Sequence, residues 1–242
     1  MPYVNPYSIS PSRVILVHRE GQSNQNGFEQ DTSLPSTYTT ARNDVKIWNG
    51  TNFANLAKTN NMYPSEDTRY AAEFSFSWKL ADATSREVYM VKHAVGSTSM
   101  NADWNISGTL YNSATQTLER AISYLENNGI YFDLYIMFNQ GENDSSTAGN
   151  ANAYQASYIT HLTDRFRRFN PKGYICTLTR TNHGRTYGGT VHNGQIAAIN
   201  SFNNSQYIYV DCDDLDVGSL HYSASGYEEV GLRESNAIQT IL

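Results

Sequence analysis

The sequence predicts an α/β fold with a parallel sheet, and two patterns carry that expectation. Five short apolar runs bounded by polar turns read as strands, and longer segments with helical periodicity separate them. Several of the runs are apolar almost throughout, as strands covered on both faces are. Alternation of strand and helix along the whole length argues for one domain, 1–242, rather than two.

The strands are expected at residues 13–17, 87–95, 133–138, 173–178 and 206–210. Between the first two, 66–83 carries Tyr70, Phe74 and Trp78 at i, i+4 and i+8, one apolar helical face. Leu118, Ile122 and Leu125 make a similar face in 113–127, with Gly129 as a stop signal. The segment 150–169 carries Tyr154, Tyr158, Leu162 and Phe166 and ends at Asn170-Pro171. Helices are also expected at 192–202 and 224–242. The stretch 29–65, rich in Asn, Thr and Ser, reads as a long irregular excursion, and loops of that length often serve function.

Composition excludes several classes. The chain has 242 residues, 39% of them hydrophobic, enough for a substantial core. Its 17 Lys and Arg against 23 Asp and Glu leave a net charge of −6, which argues against nucleic acid as a partner because phosphate binding needs clustered cations. No apolar run approaches the ~18 residues of a membrane span, and residues 1–13 lack a basic-then-apolar export pattern. Cys176 and Cys212 fit no metal spacing and are expected as buried free thiols. The acidic run 211–216 has Leu215 at the fifth position of a would-be calcium loop and no glycine at the sixth. The glycines of 189–195 lack the Lys-Ser/Thr of a phosphate loop, and no GxGxxG follows the first strand. No cofactor or metal is expected, and oligomeric state is left open.

In an open parallel sheet, ligands bind where the strands end at their carboxyl side. The first strand runs into Gly21-Gln22-Ser23-Asn24, with Gly27 close behind, so one small hydroxyl stands where strand gives way to turn. Gly96 follows the second strand, "NQGENDSS" (139–146) follows the third, and His221 precedes the last helix. A serine hydroxyl needs a base to become a nucleophile, and histidine is the usual one near neutral pH. The oxyanion that forms needs donors, typically backbone N–H groups and an amide side chain. Ser23, His221, Gly96 and an amide from Asn143 or Gln140 supply that set from separate strand ends.

These blocks, "GQSN", Gly96 in "VKHAVGSTS", "QGEND" and "LHYSASGY", in that order, resemble the SGNH hydrolases, and among them the sialate O-acetylesterase-like and acetylxylan-esterase-like carbohydrate esterases. The resemblance runs from about Val14 to the last helix. It implies a three-layer α/β/α sandwich, flavodoxin-like, with five parallel strands in the order 2-1-3-4-5. It implies Ser23 as nucleophile, His221 as general base, and the Ser23 and Gly96 N–H groups in the oxyanion hole. The general SGNH pattern makes Asn143 the oxyanion amide; the carbohydrate-esterase subgroup uses the Gln of its "QGE", here Gln140. The family's orienting Asp stands three residues before the His, where this chain has Gly218. The nearest acid is Asp216, so either Asp216 orients the imidazole or a backbone carbonyl does.

The activity implied is removal of O-acetyl groups from a carbohydrate through an acyl-enzyme. The alternatives are an SGNH lipase or thioesterase, and a glycan-binding module whose site has decayed. The 18 tyrosines suit sugar binding, with Trp104 or Tyr187 as stacking platforms. Of the other candidates, His93 reads as a core residue, His161 as solvated on its helix, and His183 as close enough to the active edge to meet substrate. Glu142 reads as a structural carboxylate.

Overall fold

The computed structural model describes residues 13–58, 60 and 69–242. The strands are β1 (Val14–Gly21), β2 (Glu29–Gln30), β3 (Val45–Trp48), β4 (Phe53–Asn55), β5 (Arg69–Tyr70), β6 (Val88–Ala94), β7 (Phe132–Asn139), β8 (Gly173–Thr177) and β9 (Tyr207–Val210). The helices are α1 (Ser23–Asn26), α2 (Glu73–Thr84), α3 (Thr109–Asn127), α4 (Ala148–Phe169), α5 (Gly188–Ser201) and α6 (Ala224–Gln239). Seven strands form one sheet in the order β4-β3-β6-β1-β7-β8-β9. Every pairing in it is parallel except β3 with β4.

The five expected strands are β1, β6, β7, β8 and β9, and their order in the sheet is the expected 2-1-3-4-5. The sheet is wider than expected because β3 and β4 fall inside the stretch read as irregular. "VKIW" is only four residues between polar turns, and its place depends on pairing with β6, a tertiary contact. The helix expected from residue 66 starts later. Tyr70 belongs to β5, which pairs with β2, and α2 begins at Glu73, whose carboxylate accepts the Ala71 N–H. Residues 66–68 of that expected helix, and 59 and 61–65 of the irregular stretch, lie outside the described residues.

Strand alternation sorts the core into two layers. Ile15, Val17, Met90, Met137 and Ile175 pack under α2 and α6 with Phe74, Phe76, Tyr227 and Val230. Leu16, Tyr89, Val91, Ile136 and Cys176 pack under α3, α4 and α5 with Leu118, Leu125, Tyr158 and Leu162. Helices therefore cover both faces, which makes the three-layer sandwich. Cys176 and Cys212 are buried free thiols, and burial pushes both up to about 12.

β1 also runs four residues beyond its apolar core, through His18, Arg19 and Glu20, all fully buried. Arg19 and Glu20 have partners on the layers they face, and His18 lies beside Glu20. Arg19 lies 2.8 Å from Glu234 of α6 and over the Phe76 ring. Glu20 meets Arg165 of α4 at 2.6 Å, with His161 at 3.4 Å and His18 at 3.1 Å. Lys92 of β6 pairs with Glu73 of α2 at 3.0 Å. Burial pushes the Glu20 carboxyl up, but Arg165, His18 and His161 outweigh it and hold it well below the usual carboxylate range. Burial also holds His18 down at about 3, so it stays neutral. His161, expected as solvated, is fully buried, because its face of α4 carries the partner for Glu20.

Removing one member of such a pair leaves a buried charge alone, which costs about 3–5 kcal/mol. Arg165→Met is expected to lose stability in that range by urea denaturation. Arg167→Met, at a side chain 80% exposed, is expected to lose less than about 1 kcal/mol.

Candidate active site

Why a serine stands at the end of β1 is answered by two glycines. Gly21 has φ +149°, and a Cβ there would lie 2.0 Å from the Asn139 carbonyl oxygen of the neighbouring β7. Only glycine lets β1 run beside β7 to its last residue and then turn. Gly27 has φ +114°, and a Cβ there would meet the Tyr70 backbone at 2.6 Å. Between them α1 is a single turn, with Ser23 as its first residue.

The residues flanking Ser23 bind the turn to its surroundings. Gln22 Oε1 accepts from Gln140 Nε2 at 3.3 Å and from the Asn143 N–H at 3.3 Å. Asn24 Nδ2 donates to Glu142 Oε1 at 2.5 Å and to the Leu220 carbonyl at 3.2 Å, while its Oδ1 accepts from Tyr227. Gln22 and Asn24 are 2% and 1% exposed, so only the serine between them reaches solvent. The motif "GQSN" alone gives no sign of this role for Gln22 and Asn24, since their partners lie more than a hundred residues away.

Ser23, His221 and Asn143 come together in one small cleft, lined also by Gln22, Ser97, Glu142, Arg185 and Leu220. His221 Nε2 lies 3.0 Å from Ser23 Oγ. Gly96 is adjacent: a Cβ built on it would lie 3.6 Å from Ser23 Cβ, ordinary contact. Ser97 beside it holds φ +61°, unusual for a residue with a side chain. Neither the Ser23 nor the Gly96 N–H has an acceptor among the described residues.

Gln140 is not in the cleft. Its side chain is fully buried, with Nε2 donating to Asp144 Oδ2 at 2.5 Å and to the Thr98 carbonyl at 2.9 Å, and Oε1 accepting from Tyr154 at 2.9 Å. Asp144 in turn accepts from Ser99 Oγ and the Met100 N–H. That amide has no donor left for a substrate. Asn143, two residues after the Gly141 turn, is the amide that lines the cleft.

Asp216 does not reach His221 either. Its backbone is left-handed, φ +45°, and its carboxylate accepts from the Ser223 N–H at 2.9 Å and the Ser223 hydroxyl at 3.1 Å. Ser223 is the cap of α6, where a carboxylate is favoured by the helix dipole. Among the described residues no carboxylate lies within ion-pair distance of the His221 ring. The ring instead stacks on Phe28, with centroids 3.8 Å apart and planes 11° from parallel, and the Arg69 guanidinium sits 5.3 Å from the Phe28 centroid. Burial lowers the His221 pKa, and the Arg180 and Arg69 charges lower it further.

Other candidates fall elsewhere. Trp104, expected as a stacking platform, is fully buried, with its indole N–H on Thr98 Oγ1. Tyr187 is half-buried against the core. His183 is buried 3.1 Å from Ser145 Oγ and does not line the cleft; His93 is buried against Ser113. Glu142 is buried and anchored by Asn24, as expected of a structural carboxylate, and burial raises its pKa. Phe28, Arg69, Arg180 and Arg185 were missed, and only the fold brings them to this edge. No group of three or more His, Cys, Asp or Glu among the described residues could hold a metal ion.

Solved structures resemble the chain at low identity. A protein from Arabidopsis thaliana matches with a TM-score of 0.77 at 14% identity, covering 94% of this chain and 99% of its own. A carbohydrate acetylesterase from Xanthomonas citri matches at 0.67 and 14% identity, over 94% of this chain and 56% of that one. Est24, a carbohydrate acetylesterase from Sinorhizobium meliloti, matches at 0.60 and 11% identity, over 94% and 100%. At such identities the likeness is one of fold. No curated protein matches the chain. The family model described as carbohydrate esterase, sialic acid-specific acetylesterase matches residues 13–240, nearly the whole sequence, and the chain belongs to that family of carbohydrate-directed carboxylic ester hydrolases.

Proposed function

We propose that the chain removes O-acetyl groups from a carbohydrate through an acetyl-serine intermediate at Ser23. The observation that carries this reading is the 3.0 Å contact between Ser23 Oγ and His221 Nε2 in a polar cleft. Ser23 Oγ attacks the acetyl carbonyl carbon while its proton passes to His221 Nε2. The oxyanion is met by the unpartnered Ser23 and Gly96 N–H groups and by the Asn143 amide. The imidazolium then gives its proton to the sugar oxygen as the ester C–O bond breaks. Water, deprotonated by His221, attacks acetyl-Ser23, and acetate leaves as the proton returns to the serine.

The shape of the cleft supports a short acyl group. A small cleft lined by Gln, Ser, Glu, Asn, Arg and His, with Leu220 its one aliphatic wall, suits an acetyl on a hydroxylated ring. A lipase or thioesterase needs an apolar groove for its acyl chain, and this lining offers none. The lowered His221 pKa supports the base role, since a neutral imidazole is the form that takes a proton.

Acetate release from a panel of acetylated sugars tests the assignment. Ser23→Ala is expected to cut kcat by about 10⁴ or more with folding intact; unchanged release would end it. Asn143→Ala is expected to lose about 10²–10³ in kcat with little change in stability. Gln140→Ala is expected to lose stability first, because each buried group left unpaired costs about 1–3 kcal/mol. Small and equal kcat losses would mean an oxyanion hole of backbone alone.

The pH profile tests the base and the absent acid together. A proton on His221 abolishes its action, and burial with two nearby arginines disfavours that proton. Activity is therefore expected to persist below the ordinary histidine value of 6.5 and fall off at lower pH. Asp216→Asn is expected to leave kcat and that acidic limb nearly unchanged. A loss approaching about 10⁴ would restore Asp216 as the orienting acid.

A further inference from the structure

The segment that carries His221 has no regular structure of its own. From Asp211 to Tyr222 it runs through turns and bends, with left-handed backbone at Asp216 and Gly218. Such a stretch cannot hold an imidazole in register with a serine unless something else fixes it. At its centre lies Arg180, from the loop after β8, 1% exposed. One terminal nitrogen of its guanidinium donates to the Leu215 and Asp216 carbonyls, at 2.7 and 2.8 Å. The other donates to the Ser219 and Leu220 carbonyls, at 2.7 and 3.2 Å. The guanidinium carbon lies 4.1 Å from the Tyr222 ring centroid. Four carbonyls from the two ends of the loop, and the ring just past His221, thus converge on one side chain.

We propose that Arg180 is the positioning residue for His221: its guanidinium draws the two ends of the 215–220 segment together and so holds the imidazole against Ser23. This rests on the reading of Ser23 and His221 as nucleophile and base. A carboxylate partner has this task in a Ser-His-Asp triad; here the loop is fixed rather than the ring nitrogen. The Leu220 carbonyl shows how direct the link is. It accepts from Arg180 and from Asn24, the neighbour of the nucleophile, so both halves of the Ser–His pair are tied to one atom. The planar fork matters, because lysine has one ammonium and cannot span two carbonyl pairs.

Arg180 also acts on His221 by charge. Arg180 from the β8 loop and Arg69 from β5 both disfavour the imidazolium, after burial, which is the larger effect. Of the other charged groups nearby, Arg185 and Glu142 line the cleft and the Asp216 carboxylate is engaged with Ser223. Position and charge can therefore be separated by substitution.

Arg180→Lys keeps the charge and loses the fork; Arg180→Gln loses both. Arg180→Lys is expected to lower kcat by about 10- to 100-fold, the scale of an ångström of misplacement. Its KM should change little and its acidic limb should stay where the wild type has it. Arg180→Gln is expected to lose at least as much, to move the acidic limb up in pH, and to regain part of its kcat with added guanidinium chloride at sub-denaturing concentration. Wild-type kcat in Arg180→Lys, or an unmoved acidic limb in Arg180→Gln without guanidinium rescue, would overturn the proposal. Ser23→Ala in the same assay keeps the two readings apart: if it retains activity, the nucleophile assignment is wrong, whereas an inactive Ser23→Ala beside a fully active Arg180→Lys removes only the role of Arg180.

Discussion

The side-chain amide of Gln140 is the junction on which the cleft depends. It receives Tyr154 from α4 and donates to Thr98 after β6 and to Asp144 within its own loop, with Gln22 Oε1 after β1 a longer 3.3 Å away. Three strand ends and a helix thus meet at one fully buried group. In a site of low dielectric, each of these hydrogen bonds is stronger than in water, and each is costly to leave unmade. The arrangement explains why a residue resembling an oxyanion donor has no donor to spare. Its work is to hold Ser23, Gly96 and Asn143 at fixed mutual positions while Asn143 alone turns to the cleft.

The same logic extends beneath the cleft. β1 carries three charged or titratable residues into the interior immediately before the serine turn; Arg19 and Glu20 are met by partners from the covering helices, and His18 lies beside Glu20. Buried pairs of this kind contribute little net stability compared with an apolar core, but they tolerate few alternative arrangements. Arg19 with Glu234 locks α6 to β1, and Glu20 with Arg165 locks α4 to it. α6 begins just beyond His221 and α4 just beyond Asn143. The ionic pairs therefore fix the two helices whose leading loops carry His221 and Asn143, the proposed base and oxyanion amide.

What the sequence made legible was local. Apolar runs gave five strands, the family resemblance gave their order, and the glycines around Ser23 marked a turn that the structure shows to be sterically required. Legibility failed where a residue's role depends on a partner distant in the chain. "VKIW" is a strand because β6 lies beside it, and His161 is buried because Glu20 faces it. Trp104 could equally have faced solvent by its position in a loop, but Thr98 receives its N–H inside. Asp216 was placed near His221 by spacing alone, and spacing could not show that Ser223 offers it two donors. Arg180 and Phe28 gave no local signal at all, since neither sits in a motif with His221.

The proposed chemistry depends on an activated hydroxyl at Ser23, with His221 as the group that activates it. A phosphonate ester directed at serine hydrolases, followed by peptide mapping, reads that activation without any choice of sugar. A single label on Ser23 in the wild-type chain, and a labelling rate greatly reduced in His221→Ala, are expected. A label on another serine, or an equal rate at Ser23 without His221, would contradict it.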